Sequence, residues 1–381
     1  MKELVIGDLK AKLPIVQGGM GVAISLSGLA SAVANEGGIG IISAAGIGMI
    51  EPDYMKNFRE ANKRALRKEI QKARSLTKGI IGVNIMIALT DHEELIKTSI
   101  DEKVDLIVMG AGLPLKIPGM IANIWGKNFH TKLAIKVSSA KAAKLIFQYW
   151  ANKYNVVPDA VVVEGPLAGG HLGFKKEELT GEVVPLALLV QETVQVLIPF
   201  ESQYQKEIPV IAAGGIYTGE DMFNIMQSGA KAVKLGTRFV ATHECDASSE
   251  FKESYITCTK EDITIINSPV GLPGRAVNNN FIEQIKLGHT QPFKCIWNCL
   301  SSCNFKEAPY CIAQALFNAT DGKMSEGFAF AGANAYKIVK IQHVSEVINE
   351  LVTEYNTASF KKHAIQKNKC QSTPAYIRTA S

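Results

Sequence analysis

Short runs of aliphatic and β-branched residues alternate with longer amphipathic stretches through the first two thirds of the chain. The runs are Pro14–Gln17, Gly38–Ser43, Ile80–Met86, Leu106–Met109, Leu133–Val137, Ala160–Glu164, Pro209–Ala213 and Ala232–Leu235. They are continuously apolar rather than alternating, the pattern of strands covered on both faces in a parallel sheet. Helical stretches lie between them at Leu26–Glu36, Pro52–Ser75, Asp91–Glu102, Ala140–Tyr154, Val184–Phe200 and Gly219–Ser228. Eight such strand-then-helix units predict an α/β fold of the TIM (β/α)8 barrel type. A doubly wound sheet is the alternative, because periodicity does not register closure.

The alternation breaks down after Leu235. Residues 238–335 are rich in Pro, Asn and Cys and read as a loop-rich C-terminal insertion or small subdomain. In Ser345–Tyr355, Val347, Ile348, Leu351 and Val352 share one helical face. The expected organisation is therefore a barrel over 1–237, an insertion over 238–335, a late helix over 336–356 that returns to the barrel, and a polar tail over 357–381.

Composition narrows the classes. Of 381 residues, 47% are hydrophobic and 20% charged, which excludes a disordered chain, a coiled coil and a fibrous repeat. The net charge is only +5 and no dense Lys/Arg block occurs, so nucleic acid is not an expected partner. Leu13–Asn35 carries no charge, but Pro14, Gln17 and its glycines make it a poor membrane span. Glu3 and Asp8 spoil a signal-peptide n-region. A cytoplasmic protein with no membrane partner is expected, and an odd count of seven unevenly spaced cysteines agrees with reduced thiols. The oligomeric state is not legible.

Function in a barrel collects at the C-terminal ends of the strands. Here those ends carry the doublets Gly18-Gly19, Gly169-Gly170 and Gly214-Gly215. Tight turns are the simple reading of any one doublet, and a flat ligand close to the backbone is the better reading of all three. Ala213-Gly214-Gly215-Ile216 follows the seventh strand and Gly236-Thr237-Arg238 the eighth, where barrels bind phosphate on backbone N–H groups. Gly38-Ile39-Gly40-Ile41-Ile42-Ser43 departs from the dinucleotide fingerprint and begins within a strand, so a mononucleotide is expected.

Six motifs in order now resemble one family: Val16-Gln17-Gly18-Gly19-Met20, Gly82-Val83-Asn84, Ile135-Lys136-Val137, Glu164-Gly165 through Ala168-Gly169-Gly170-His171-Leu172-Gly173, Ile211–Ile216, and Leu235-Gly236-Thr237-Arg238-Phe239. They resemble the nitronate monooxygenases, formerly 2-nitropropane dioxygenases, which are related to flavin-dependent enoyl-acyl-carrier-protein reductases and an NADH:quinone reductase. The resemblance covers roughly residues 1–240. It implies a TIM barrel with non-covalent FMN. It also implies that Gly18, Gly19, Met20, Asn84, Lys136, Glu164, Gly169, Gly170, Ala213, Gly214, Gly215, Gly236 and Thr237 form the cofactor site.

His171 and Lys136 are the expected catalytic residues. In the family the matching histidine faces flavin and substrate. An imidazole there can take a proton from a nitroalkane carbon or hydrogen-bond a developing anion. Lys136, ending strand five, is expected beside the N1–C2 side of the flavin, with a barrel-rim charge as its plain structural alternative. The implied activity is oxidation of alkyl nitronates to a carbonyl compound and nitrite with oxygen. The alternatives are NAD(P)H-dependent reduction of an enoyl thioester or quinone, and a flavin-binding subunit of an electron-transfer assembly.

The segment CIWNCLSSCNFKEAPYC falls outside the family pattern. It holds Cys295, Cys299, Cys303 and Cys311, four of the seven cysteines. On a helix, 295, 299 and 303 would share one face. A [4Fe-4S] cluster or zinc, buried small residues, and redox-active thiols all remain open for this run.

Overall fold

The computed structural model describes residues 1–116, 121 and 130–371; residues 117–120, 122–129 and 372–381 lie outside it. The eight expected strands all form: β3 Ile15–Gln17, β4 Ile39–Ser43, β5 Ile80–Met86, β6 Leu106–Gly110, β7 Lys132–Val137, β8 Ala160–Glu164, β10 Val210–Ala213 and β11 Ala232–Leu235. They pair in parallel in the order β3-β4-β5-β6-β7-β8-β10-β11, and β11 pairs with β3 to close the barrel. Closure decides between the two architectures left open above, in favour of the (β/α)8 barrel.

Two apolar compartments hold the fold. Inside the barrel, Val16, Ile39, Ile41, Leu106, Val108, Ala134, Ala160, Val162, Ile211 and Ala232 pack together. Outside it, the alternate residues of the same strands, such as Val83, Ile107, Ile135 and Val163, meet the helices. Strand residues point alternately in and out, so continuous apolar runs serve both compartments at once. Helix starts are fixed by side chains: Ser139 accepts from Ala142 N at 3.2 Å before Ala140–Tyr154, and Thr218 with Asp221 forms a capping box before Gly219–Met226.

Three features lay beyond the periodic signal. First, β1 (Leu4–Ile6) and β2 (Leu9–Ala11) form an antiparallel hairpin whose Leu4, Ile6 and Ala11 join the barrel-interior cluster. Second, residues 238–335 do not stand apart. Phe251, Tyr255, Phe281 and Phe328 share the cluster of the barrel helices. Asp246 accepts from the backbone N–H groups of Leu26, Gly28 and Leu29 at 2.8, 3.1 and 3.2 Å, which caps Ser27–Asn35. Within this insertion β12 (Ile263–Asn267) and β13 (Pro273–Val277) form a hairpin, and β13 pairs with β9, the two-residue strand Gly170–His171. Third, the late helix is longer than the stripe at Ser345–Tyr355 suggests. It spans Val344–Gln371, so it takes in the first part of the expected polar tail. Gly219 N donates to Glu354 Oε2 at 2.6 Å, which seats this helix on Gly219–Met226.

Helix Ser27–Asn35 lies directly on β4. A β-carbon at Gly40 would stand 1.9 Å from the Ala30 carbonyl oxygen, against backbone that cannot turn aside. Gly40→Ala should therefore destabilise the protein by about 2–3 kcal/mol through overpacking. Urea unfolding measures it, and an unchanged midpoint would contradict this close seating.

Candidate active site

The period of two places four polar side chains in the topmost interior layer of the barrel. On β7, Lys136 follows inward Ala134; on β8, Glu164 follows Val162; on β11, Lys234 follows Ala232; on β5, Asn84 has the same inward parity. Lys136 Nζ reaches both Glu164 oxygens, at 2.9 and 2.8 Å. Lys234 is only 8% exposed, and its Nζ lies 3.5 Å from Asn84 Oδ1. Burial and the charge of Lys136 push its ammonium down to about 8, with Glu164 opposing.

Glycine loops adjoin this layer. A β-carbon at Gly19 would meet Asn84 Cβ at 2.4 Å, and one at Gly18 would meet Gly236 Cα at 2.9 Å. Gly236 in turn faces Met20 Sδ at 3.4 Å. The loop is held by Gly18 N donating to the Leu235 carbonyl at 2.7 Å and Met20 N to Ser25 Oγ at 2.8 Å. Gly214 and Gly215 have φ of +95° and +82°, a region that costs any other residue strain. Among the described residues, the N–H groups of Gly215, Ile216, Gly236 and Thr237 donate to no protein acceptor. Residues from the insertion bridge these two loops: Gly332 N donates to Thr237 Oγ1 at 3.0 Å and Asn334 Nδ2 to the Gly215 carbonyl at 2.7 Å. Paired glycine turns with unused donors are what a phosphate monoester requires.

His171 sits at the edge of the same region, on β9. Its Nε2 is 2.7 Å from Ser268 Oγ, and its ring meets Phe330 edge-on at 4.9 Å. Burial, with a smaller contribution from the Lys136 charge, pushes the imidazolium down to about 4. His171 is therefore neutral near pH 7. Below it, the guanidinium of Arg275 donates to the carbonyls of Pro166 and Ala168 at 2.6 and 2.5 Å, fixing the loop between β8 and β9. A β-carbon at Gly169 would strike the Ala331 carbonyl carbon at 2.5 Å, whereas one at Gly170 would meet open space.

Adjacency links the sequence candidates into three groups. Gly18, Gly19, Met20, Asn84 and Gly236 adjoin, Gly214 packs against Gly165 and Ala168 beside Gly169, and Lys136 with Glu164 lies within electrostatic reach of His171. Lys234, Ser268, Arg275 and Phe330 escaped notice in the sequence. For Lys234 a signal existed, since its spacing from Ala232 and Gly236 puts it inward just below a loop. Ser268 and Arg275 belong to a hairpin with no strong period, and Phe330 lies on irregular chain that bridges to it at Ala276.

The cysteine run bears on the alternatives left open for it. It forms no helix: residues 289–311 are irregular chain, so 295, 299 and 303 share no helical face. The segment is tied down through backbone groups, with Thr90 N donating to the Cys299 carbonyl at 3.1 Å and Ser301 N to the Ala88 carbonyl at 2.9 Å. Among the described residues no three His, Cys, Asp or Glu side chains converge as a metal site. Burial and the nearby thiols of Cys311, Cys295 and Cys303 push the Cys299 thiol up to about 12. Cys299 and Cys303 pack against the core, and a zinc or [4Fe-4S] centre on Cys295, Cys299, Cys303 and Cys311 has no support among the described residues. No helix among the described residues is long and apolar enough to cross a membrane.

Comparison with known proteins identifies the family and the fold. The family profile described as nitronate monooxygenase matches residues 2–112 and 93–354. A probable nitronate monooxygenase of Staphylococcus haemolyticus is 23% identical over 92% of this chain and 96% of its own. The (3aS,4S,5R,7aS)-5-hydroxy-7a-methyl-1-oxo-octahydro-1H-indene-4-carboxyl-CoA dehydrogenase of Rhodococcus jostii is 28% identical over 72% of this chain, which spans 65% of that protein's length. The structure of FabK from Thermotoga maritima superposes with a TM-score of 0.70 at 29% identity, covering 93% of this chain and 96% of that one.

The His171 environment has a pH consequence. Its pKa falls from an ordinary 6.5 to about 4 on folding. The unfolded chain therefore takes up the proton first, and the stability from this group, complete above 6.5, is lost as pH falls through 4. Compared with wild type, His171→Gln should lose less stability between pH 7 and pH 4.5, by on the order of 1–3 kcal/mol. Parallel losses in urea titrations of the two proteins would show that the imidazole is not buried neutral.

Proposed function

Since the chain belongs to the nitronate monooxygenase family and is an FMN-dependent oxidoreductase, we propose that it oxidises alkyl nitronates to a carbonyl compound and nitrite, with dioxygen as oxidant. The observation that carries this reading is the stacking of two donor-bearing glycine loops over a charged interior layer, with a half-buried neutral histidine at the edge.

The residues fit FMN. Gly215, Ile216, Gly236 and Thr237 would hold the phosphate on their free N–H groups, with Ala213 and Gly214 beneath. Gly18, Gly19, Met20, Asn84, Gly169 and Gly170 would border the ring system, with Lys136 and Glu164 under its polar edge. When bound, FMN supplies the electron transfer and the oxygen chemistry. The protein orients the ring, excludes water and holds the substrate. His171 is a weak base at this pKa, so it suits a substrate that arrives as an anion better than one from which it must remove a carbon-bound proton. A neutral imidazole can donate one hydrogen bond to a nitronate oxygen while Ser268 holds the other ring nitrogen.

A second reading has its own support. The carboxyl-CoA dehydrogenase relative and the likeness to FabK favour NAD(P)H-dependent chemistry on a thioester, with the same residues holding the flavin. Nitrite release from a nitronate under air, set against anaerobic oxidation of NAD(P)H by an enoyl thioester, separates the two. In whichever assay is active, His171→Ala should retain the flavin spectrum and lower turnover about 10²-fold or more. Full turnover would remove His171 from the mechanism.

The phosphate placement has a separate test. Valine cannot adopt the Gly215 conformation without strain, and at Gly236 its branches would project toward Met20. The double variant Gly215→Val/Gly236→Val should purify without flavin. Stoichiometric flavin, measured by absorbance after denaturation, would overturn the assignment.

A further inference from the structure

Lys234 is a buried charge that neither the packing nor the proposed reaction explains. It extends from β11 to Asn84 on β5, across the barrel interior rather than along the wall, because β3 and β4 lie between those strands. Asn84 offers one long, neutral contact at 3.5 Å. Among the described residues Lys234 forms no ion pair, and the nearby carboxylate, Glu164, is engaged at both oxygens by Lys136. The layer thus holds two ammonium groups and one carboxylate, a surplus of one positive charge of which the buried share is Lys234. A buried ammonium without a counter-ion opposes folding. Simple packing would favour an apolar side chain here, like those one layer below.

The missing partner has a defined place. Asn84, which Lys234 touches, lies against the backbone of Gly19, and Gly236, two residues beyond Lys234, lies against Gly18. One strand end therefore delivers both a phosphate loop and an ammonium beneath the rim. We propose that Lys234 is a flavin-binding residue, whose ammonium supplies the net positive charge facing the N1–C2=O edge of the isoalloxazine, where negative charge collects when electrons enter. This inference rests on the placement of FMN proposed above. It moves the role expected of Lys136 to its neighbour, since the charge of Lys136 is already balanced by Glu164. Lys136 with Glu164 then acts as a neutral pair that walls the layer on the side of β7 and β8.

Lys234→Met tests this with two readouts that need no turnover. The methionine is an unbranched chain one atom shorter and removes the charge. In the apoprotein, the melting temperature should rise, because the unbalanced ammonium is gone. In the holoprotein, equilibration against a redox dye should show the reduced-to-oxidised flavin ratio at a fixed dye poise falling by on the order of tenfold or more, the loss expected when a nearby positive charge is removed. A stabilised apoprotein that no longer retains flavin supports the inference as well, since the residue then governs binding. An apoprotein that melts lower or does not fold would make Lys234 structural and overturn it. Retained flavin with an unchanged reduced-to-oxidised ratio would overturn it while leaving the flavin placement intact. Wild-type protein that neither purifies with FMN nor takes it up would overturn the flavin reading itself, and this inference with it.

Discussion

A closed barrel leaves its inward charges little water, so each needs an answering group inside the same layer. That constraint organises the site. Below the top layer the interior is hydrocarbon, from Val16 and Ile39 to Ala160 and Ile211. At the top layer Lys136, Glu164, Asn84 and Lys234 replace it on four different strands. The Lys136–Glu164 pair is held by two short contacts, which lets it exist in a poorly solvated place. The strands can end in glycine above this layer because it already closes the barrel, so no large side chain is needed there to exclude water from the core.

The second determinant comes from outside the barrel repeat. The loop after β8 would be a free excursion if the chain ended at Leu235. Instead β13 takes Gly170–His171 as a third strand, Arg275 clamps the carbonyls before it, and Ser268 and Phe330 fix the imidazole. The low basicity of His171 follows from this cover, since burial is the larger cause and Lys136 the smaller. The insertion therefore sets the protonation state of a residue that the barrel alone would leave in solvent. Its core is continuous with that of the barrel helices, and Asp246 caps the first of them.

Strand runs such as Ile80–Met86 and Ala160–Glu164 were legible to the residue, because burial on both faces leaves an unbroken apolar signature. The glycine doublets and Gly236-Thr237 were legible from their place after strands. What escaped has a physical reason in each case. The hairpin Leu4–Ala11 is too short to show a period. Strands β12 and β13 carry polar residues, as in Thr264 and Arg275, since they cover loops rather than a hydrophobic layer. The cysteine spacing left several roles open, and Leu300 bridging to Leu89 and the backbone ties to Ala88 and Thr90 hold that segment as irregular chain. Lys234 hid in plain alternation: a lysine in an apolar strand reads as an exposed edge until closure shows that its parity points inward.

These two determinants separate the parts of the proposed reaction. The floor under the flavin is written in strand parity and glycine turns, which cannot change without disturbing the barrel. Gly40 and Gly219, where a β-carbon would stand within about 2 Å of backbone oxygen, show how little slack that scaffold has. The wall beside His171 is written in the turn between β12 and β13, residues 268–272, where a β-carbon at Gly271 would meet open space. Ser268 anchors one end of that turn through its N–H to the Leu272 carbonyl at 3.1 Å, and its hydroxyl reaches His171. A change of length or side chain there would reshape the substrate side and retune the imidazole together, while the charged layer stayed as it is. On the proposed placement of the flavin, selectivity between a small nitronate and a long thioester would be a property of the insertion, and the readiness of the flavin to take electrons a property of the barrel.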